Sequence, residues 1–123
     1  MALTIPDAVL DRMAGKFRML SDPTRLAILR AILPGEQSVG QVVAATGLSQ
    51  ANVSKHLKIL ASSGMVSRRK EGLHAYYAVS DPLVETLCEL VCGTIVRETR
   101  TQMEESCRLL LTWQGQEAGT PTT

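Results

Sequence analysis

The first third of the chain carries two stripes of apolar residues at helical spacing. One stripe predicts a helix over Asp7–Leu20 and consists of Val9, Leu10, Met13, Phe17 and Leu20. A second helix is expected to start at Pro23, because Asp22 suits an N-cap and proline suits the first helical position. Its apolar residues end at Pro34-Gly35, a pair that breaks helices. The chain therefore begins as an α-helical domain.

Two short helices joined by a tight turn are predicted over residues 38–64. Gly47 suits the left-handed cap that ends the first, and Ser49 suits the N-cap of the second. The core-facing residues of the second helix recur at i, i+4 and i+7 and are Val53, Leu57 and Leu60. Its other side has polar groups, two cations and no bulky apolar residue: Gln50, Ala51, Ser54, Lys55 and Lys58. This arrangement predicts a helix-turn-helix whose second helix can enter the major groove of DNA.

A β-hairpin and a long helical segment are predicted in the second half. Residues 65–70 and 73–79 are β-rich runs, with Glu71-Gly72 at the tip of the hairpin between them. Residues 83–111 predict one long helix, or two joined near Gly93 and Thr94. The fold class is therefore mainly α with a small β-hairpin, a winged helix-turn-helix in one domain over residues 1–113. Residues 114–123 predict a disordered tail.

Composition and charge refine this picture. Hydrophobic residues make up 45% of the 123 positions and aromatic residues only 3%, so the core is aliphatic. A small aliphatic domain with long helices often completes its burial in a partner subunit. Residues 49–80 carry a net charge of +4, whereas residues 81–123 carry −4. The predicted DNA-reading segment is thus the basic one, although a solvated surface is the alternative explanation.

Several classes of protein are disfavoured by what the sequence lacks. No signal peptide or membrane span is recognisable, which predicts a cytoplasmic protein without membrane contact. There is no Gly-rich phosphate loop, no nucleophile elbow and no carboxylate pair with a histidine, so we expect no enzyme. The three cysteines are expected to be free, metal-binding or redox-active rather than a disulfide framework.

Two segments, SDPTRLAIL at residues 21–29 and LSQANVSKHLKILASSGMV at residues 48–66, together resemble the ArsR/SmtB family of bacterial repressors. The resemblance covers about residues 20–90. It implies a homodimer that joins through terminal helices, about residues 7–20 and 82–111, and binds double-stranded operator DNA through residues 38–80. It also implies that an inducing ion or oxidant weakens DNA binding.

The same resemblance implies which residues contact DNA. The family's recognition helix maps to Ser49, Gln50, Asn52, Ser54, Lys55 and His56. Gln50 and Ser54 are expected at base edges, and Lys55 at a phosphate or a guanine. Phosphate contacts are expected from Lys58, Arg68, Arg69, Lys70 and His74. His56 has an alternative role in local packing or hydrogen bonding, and the wing departs from the family at Leu73, where arginine is common.

The cysteines are the candidate ligands of an inducer, because two frequent metal sites of the family are missing. The first would need cysteines at Ser38 and Gly40. The second, a carboxylate and histidine zinc site, maps to Asp81, Leu83, Thr94 and Arg97, where only the aspartate can ligate. No cofactor is expected for folding. The remaining soft ligands are Cys88, Cys92 and Cys107.

Spacing separates the three thiols into a pair and a single residue. Cys88 and Cys92 stand at i and i+4, so they share a helix face and one thiophilic ion can bridge them. Cys107 would lie about 22 Å beyond Cys92 in a straight helix, so it joins them only across a helix break or from the other subunit. In the antiparallel interface that the family implies, Cys88 of one subunit would lie near the partner's Cys92.

Three thiolates without imidazole favour trivalent arsenic or antimony as the inducer, followed by cadmium or lead. A thiol redox or persulfide switch is the main alternative within the same fold. Buried cysteines used only for packing are a further explanation. Two other functions stay open: a winged helix for protein–protein contact, and a repressor without any ligand.

Overall fold

The computed structural model describes residues 4–119, and the exposure of side chains over residues 4–112. Within this part, the elements follow in the order α1 (Asp7–Leu20), α2 (Pro23–Ile32), β1 (Gln37–Ser38), α3 (Val39–Thr46), α4 (Gln50–Ser62), β2 (Val66–Glu71), β3 (His74–Val79) and α5 (Pro82–Gly119). The chain divides into two compact units, one up to Glu85 and one from Thr86 onward. The mainly α fold with a small β-sheet is confirmed.

Side-chain caps fix the helix boundaries in the first unit. The Asp22 carboxylate accepts hydrogen bonds from the backbone N–H groups of Thr24 and Arg25, at 2.8 and 3.1 Å, as the predicted N-cap of α2. Ser38 and Gln41 form a reciprocal capping box at the start of α3. Gly47 ends α3 in the left-handed conformation with φ 73°, a value that favours glycine. The predicted turn of the helix-turn-helix is thereby confirmed.

One aliphatic core holds the first unit together. Its buried side chains come from α2, α3, α4, the sheet, the residue just before β2 and the first turn of α5: Ile28, Leu29, Ile32, Val42, Val53, Leu57, Leu60, Met65, Val66, Tyr77 and Val84. The predicted inward stripe of α4, namely Val53, Leu57 and Leu60, is fully buried. Because these three residues fix the rotation of α4 about its axis, the polar side of the helix faces outward.

The sheet has three antiparallel strands in the order β1-β3-β2. The two-residue strand β1 was not predicted, since two residues are too few to show an alternating pattern. The hairpin tip also differs from the prediction by one residue. Glu71 pairs with His74, so Gly72 and Leu73 form the turn. Gly72 has φ 61°, the positive value that the first of the two central positions of a type II′ turn requires. Leu73, the second central residue, is fully exposed rather than part of the strand.

Helix α1 has the predicted bounds and buries no residue. Its apolar stripe is exposed at Val9, Leu10, Met13 and Phe17, with exposed fractions of 36–52%. Lys16 forms an ion pair of 2.7 Å with Asp81, the residue before α5. Asp81 also accepts a hydrogen bond from the backbone N–H of Leu83 and so caps α5 as expected.

The second unit is the continuation of α5 from Thr86. The helix passes through Gly93 and Thr94 without interruption, so the alternative of two joined helices is wrong. It extends to Gly119, whereas a tail was predicted from residue 114, and residues 120–123 lie outside the described part. None of the side chains described between residues 86 and 112 is buried. Over the described residues, no helix combines the length and apolarity that crossing a bilayer requires.

Candidate nucleic-acid interface and thiol pair

The outward face of α4 is polar and basic. Four predicted contact residues lie on this face. Gln50, Lys55 and Lys58 are exposed, and Ser54 is half-buried. Neither lysine forms an ion pair within the described residues, so both charges are available to a phosphate or a base edge. Ser49 has a structural task, because its hydroxyl accepts the backbone N–H of Asn52 at 3.2 Å and caps the helix.

His56 is turned toward α2. Its Nδ1 accepts a hydrogen bond of 3.3 Å from Nε of Arg25, and its side chain is half-buried. One ring nitrogen is thereby committed to a contact between α4 and α2. Arg25 also donates its backbone N–H to Asp22, and this hydrogen bond is the main reason why the pKa of the Asp22 carboxyl lies below its usual value.

The wing, defined here as residues 66–79, presents cations on both faces. Facing residues in an antiparallel pair point to the same side, so Arg68 and its partner Tyr77 lie on one face of the hairpin. Val66 and Lys70 lie on that same face. Arg68 and Lys70 are exposed and have no ion-pair partner in the part of the chain that is described. His74 is exposed beside Tyr76, with ring centroids 6.5 Å apart.

Arg69 lies on the other face of the wing and has three partners. It donates to both carboxylate oxygens of Glu36, at 3.1 and 2.7 Å, and to Glu71 at 2.6 Å. Its guanidinium carbon is 4.9 Å from the centroid of the Tyr76 ring. The hydrogen bonds from Arg69 hold the pKa of the Glu36 carboxyl below its usual value, and the pKa of Arg69 is raised. The sequence did not reveal this cluster, because its central contact joins residues 33 positions apart.

The three cysteines are free and lie on one continuous helix. Cys88 is half-buried, and Cys92 and Cys107 are exposed. Since α5 does not break, Cys107 stands about 22 Å from Cys92 along the helix axis and cannot join the pair within one chain. The described residues accordingly bring no three histidine, cysteine or acidic side chains together in a metal-binding arrangement.

A helix-turn-helix with an outward basic face, followed by a basic hairpin, defines the class of winged helix-turn-helix DNA-binding proteins. A family model described as "Bacterial regulatory protein, arsR family" matches residues 22–68. The chain is 45% identical over 83 residues to the HTH-type transcriptional regulator CmtR of Mycobacterium bovis, a match that covers 67% of this chain and 70% of CmtR. The chain therefore belongs to the ArsR family, whose members are transcriptional regulators and not enzymes.

Other similar proteins fit this family. A probable mercury resistance operon repressor of Streptomyces lividans is 45% identical over 80 residues, which cover 65% of this chain and 64%, just under two thirds, of that repressor. The solved structure of the AntR antimony-specific transcriptional repressor has a TM-score of 0.75 at 27% identity, covering 80% of this chain and 90% of AntR. The homodimeric winged helix-turn-helix domain of Mb0332 from Mycobacterium bovis has a TM-score of 0.65 at 33% identity. The match covers 77% of this chain and 90% of the Mb0332 domain.

Proposed function

We propose that this chain is a repressor that binds operator DNA as a homodimer and is released by a thiol-binding inducer. The observation that carries the DNA-binding part is the rotation of α4, fixed by its three buried residues, which leaves Gln50, Lys55 and Lys58 exposed on one side. Lysine reaches guanine O6 and N7 or a phosphate, and glutamine pairs with adenine. This helix face therefore supplies both base readout and charge.

The test of DNA binding is fluorescence anisotropy on a labelled duplex from upstream of the gene, repeated over a range of salt concentrations. A DNA-binding protein loses affinity steeply with salt, because phosphate neutralisation releases counterions. A winged helix used for protein–protein contact would show weak binding that does not depend on the duplex sequence. The exposed, unpaired lysines of α4 favour the first outcome.

The homodimer is supported by apolar surface that one chain leaves open. The stripe of α1 is exposed, and so are Leu90, Val91, Ile95 and Met103 of α5, with exposed fractions of 53–63% for these four. Monomeric proteins rarely expose large contiguous apolar patches. The homodimeric Mb0332 domain gives the same assembly as a precedent. Sedimentation of the purified chain should give the mass of two copies, and a monomer at micromolar concentration would contradict the proposal.

For the inducer, we propose a soft ion held by Cys88 and Cys92 of both subunits. Thiolates without imidazole suit trivalent arsenic or antimony first, and cadmium or lead next. The names of two similar proteins, a mercury resistance repressor and an antimony-specific repressor, are consistent with a thiophilic inducer. Because α5 is continuous, Cys107 cannot join this pair within one chain, and the partner's Cys107 could complete a three-thiolate site only in a register other than the one that places Cys88 opposite the partner's Cys92.

Ion titration of the reduced protein, followed by thiolate–metal absorption in the ultraviolet, tests this site. Binding that is lost in Cys88→Ser and in Cys92→Ser places the ion at the pair. An additional loss in Cys107→Ser indicates a third thiolate from the partner subunit, whereas unchanged binding limits the site to the pair. If no ion binds but an oxidant or a persulfide donor links the subunits through Cys88 or Cys92, the redox alternative replaces the metal site.

A further inference from the structure

The three consecutive cations of the wing have unequal surroundings. Arg68 and Lys70 are exposed, without ion pairs in the described residues, and share the hairpin face of the buried Val66. Arg69 points to the opposite face, where all three of its guanidinium nitrogens donate hydrogen bonds. Three of its five N–H donors are thus held by carboxylates of the same chain, which leaves Arg69 less suited to a phosphate than Arg68 or Lys70 and points to a different role.

The geometry of Arg69 crosses the sheet. Arg69 on β2 is paired with Tyr76 on the middle strand β3, and Tyr76 is paired with Ser38 on β1. The guanidinium passes over the Tyr76 ring and ends on the carboxylate of Glu36, the residue immediately before β1. A single side chain thereby connects the two outer strands across the middle one.

The position of Glu36 gives this connection a consequence. Strand β1 contributes only two residues to the sheet, and its Ser38 is also the N-cap of α3, where the helix-turn-helix begins. The two-oxygen contact between Arg69 and Glu36 has the planar fork geometry that fixes direction as well as distance. It therefore links the wing to the start of the helix-turn-helix by a directional contact.

We propose that Arg69 is a positioning residue, which sets the orientation of the wing relative to the helix-turn-helix through Glu36, while Arg68 and Lys70 contact the DNA phosphates. The inference rests on the proposed DNA-binding function. It revises the expectation that all three wing cations are phosphate contacts. Because Glu36 and Arg69 are about half exposed, the contact acts through geometry rather than through a strong Coulomb attraction.

The variant Glu36→Gln distinguishes positioning from charge by the sign of its effect. Removing a carboxylate near DNA, and freeing Arg69 for a phosphate, would tighten binding if only charge mattered. If Arg69 positions the wing, Glu36→Gln should weaken binding by roughly two- to fivefold, the range expected for losing one exposed ion pair, and Arg69→Ala, which loses its pairs with both Glu36 and Glu71, by at least as much. In both variants the dependence of log affinity on log salt should keep its wild-type slope. Arg68→Ala, the matched variant, should lower the magnitude of that slope by ~1.

Hydrogen exchange of the free protein gives a second measurement that does not need DNA. Amides of residues 37–38 and 66–79 should exchange faster than wild type in Glu36→Gln and in Arg69→Ala, but not in Arg68→Ala. Tighter binding by Glu36→Gln, a reduced salt slope in Arg69→Ala, or unchanged exchange in both variants would overturn the inference. If the wild type binds no DNA at all, the proposed function fails, and the exchange result still decides the role of Arg69 in wing order.

Discussion

The winged-helix unit, residues 4–85, and the helix from Thr86 onward use their apolar residues in opposite ways. In the first, α2, α3, α4 and the sheet bury an aliphatic core. In the second, no described side chain is buried, and the apolar residues Leu90, Met103 and Leu110 are more than half exposed. One chain therefore buries the core of the winged-helix unit by itself, whereas the apolar stripe of α1 and the apolar residues of α5 are exposed in a single chain, in agreement with the proposed homodimer. Cys88 and Cys92, the two most closely spaced thiols, lie on this helix, and under the proposed function an inducer bound there would act on the dimer.

The largest loss of stability is expected from a cavity in the core of the winged-helix unit. Leu57→Ala should lower the free energy of unfolding by ~2–5 kcal/mol, because Leu57 is fully buried between α4 and its neighbours. Urea denaturation measures this loss, which should not depend on protein concentration. Leu90→Ala is the matched variant on the exposed helix, and its effect should appear as a concentration-dependent loss of the dimer. Equal, concentration-independent losses in both would remove the distinction between the units.

A smaller effect is expected at the outward face of α4. Lys55→Ala should weaken operator binding by ~1–3 kcal/mol if Lys55 reads a base, as measured by anisotropy at fixed salt. Arg12→Ala, which removes an exposed cation from α1, is the control and should leave both affinity and salt slope near the wild-type values. An unchanged affinity in Lys55→Ala would rule out base contact by this residue.

Much of the DNA-reading unit could be predicted from the sequence, because local rules determine it. Asp22, Gly47 and Ser49 each act on backbone groups within four residues, so their caps follow from residue type and position. The buried stripe of α4 follows from a period of 3.6 residues.

Features that depend on distant residues were not predictable in this way. Strand β1 exists only because β3 pairs with it, and Arg69 meets Glu36 only after the sheet has formed. The continuity of α5 was left open by Gly93, since a glycine weakens a helix without necessarily ending it. Because α5 is continuous, Cys107 cannot lie next to Cys88 and Cys92 of the same chain. The local sequence pattern did not determine this.

Substitution of Asp81, the cap at the start of α5, should lower the free energy of unfolding by a modest amount that depends on pH. Asp81→Ala removes both the cap and the ion pair with Lys16 and should cost about 1 kcal/mol near neutral pH, whereas Asp81→Asn keeps the cap and should cost less. The hydrogen bond from Lys16 is the main cause that lowers the pKa of Asp81 below its usual value of 3.8.

A carboxyl with a lowered pKa stabilises the fold above its unfolded-state pKa, and this contribution is lost as pH falls through the folded-state value. The stability difference between wild type and Asp81→Asn should therefore shrink below about pH 4. Thermal unfolding between pH 3 and pH 7 measures the difference. A difference that is constant over this range would show that the ion pair does not contribute.

The smallest effect on basal binding is expected at the thiols. Cys92 is exposed on α5, outside the DNA-reading unit, so Cys92→Ser should change the affinity of the reduced, ion-free protein for DNA by less than about twofold, as for an ordinary surface substitution. Anisotropy under reducing conditions checks this. A large loss of affinity without any inducer would mean that Cys92 serves the dimer by packing and not as a sensor.

The most direct test of the account compares reduced wild type and Cys92→Ser on the same labelled duplex during titration with arsenite. We expect tight, salt-sensitive binding by both proteins, with release of the wild type by arsenite and no release of the variant. Release of both proteins at the same arsenite concentration would contradict a sensor at Cys88 and Cys92. Wild-type binding that withstands arsenite, antimonite, cadmium, lead and oxidants alike would contradict thiol-controlled repression altogether.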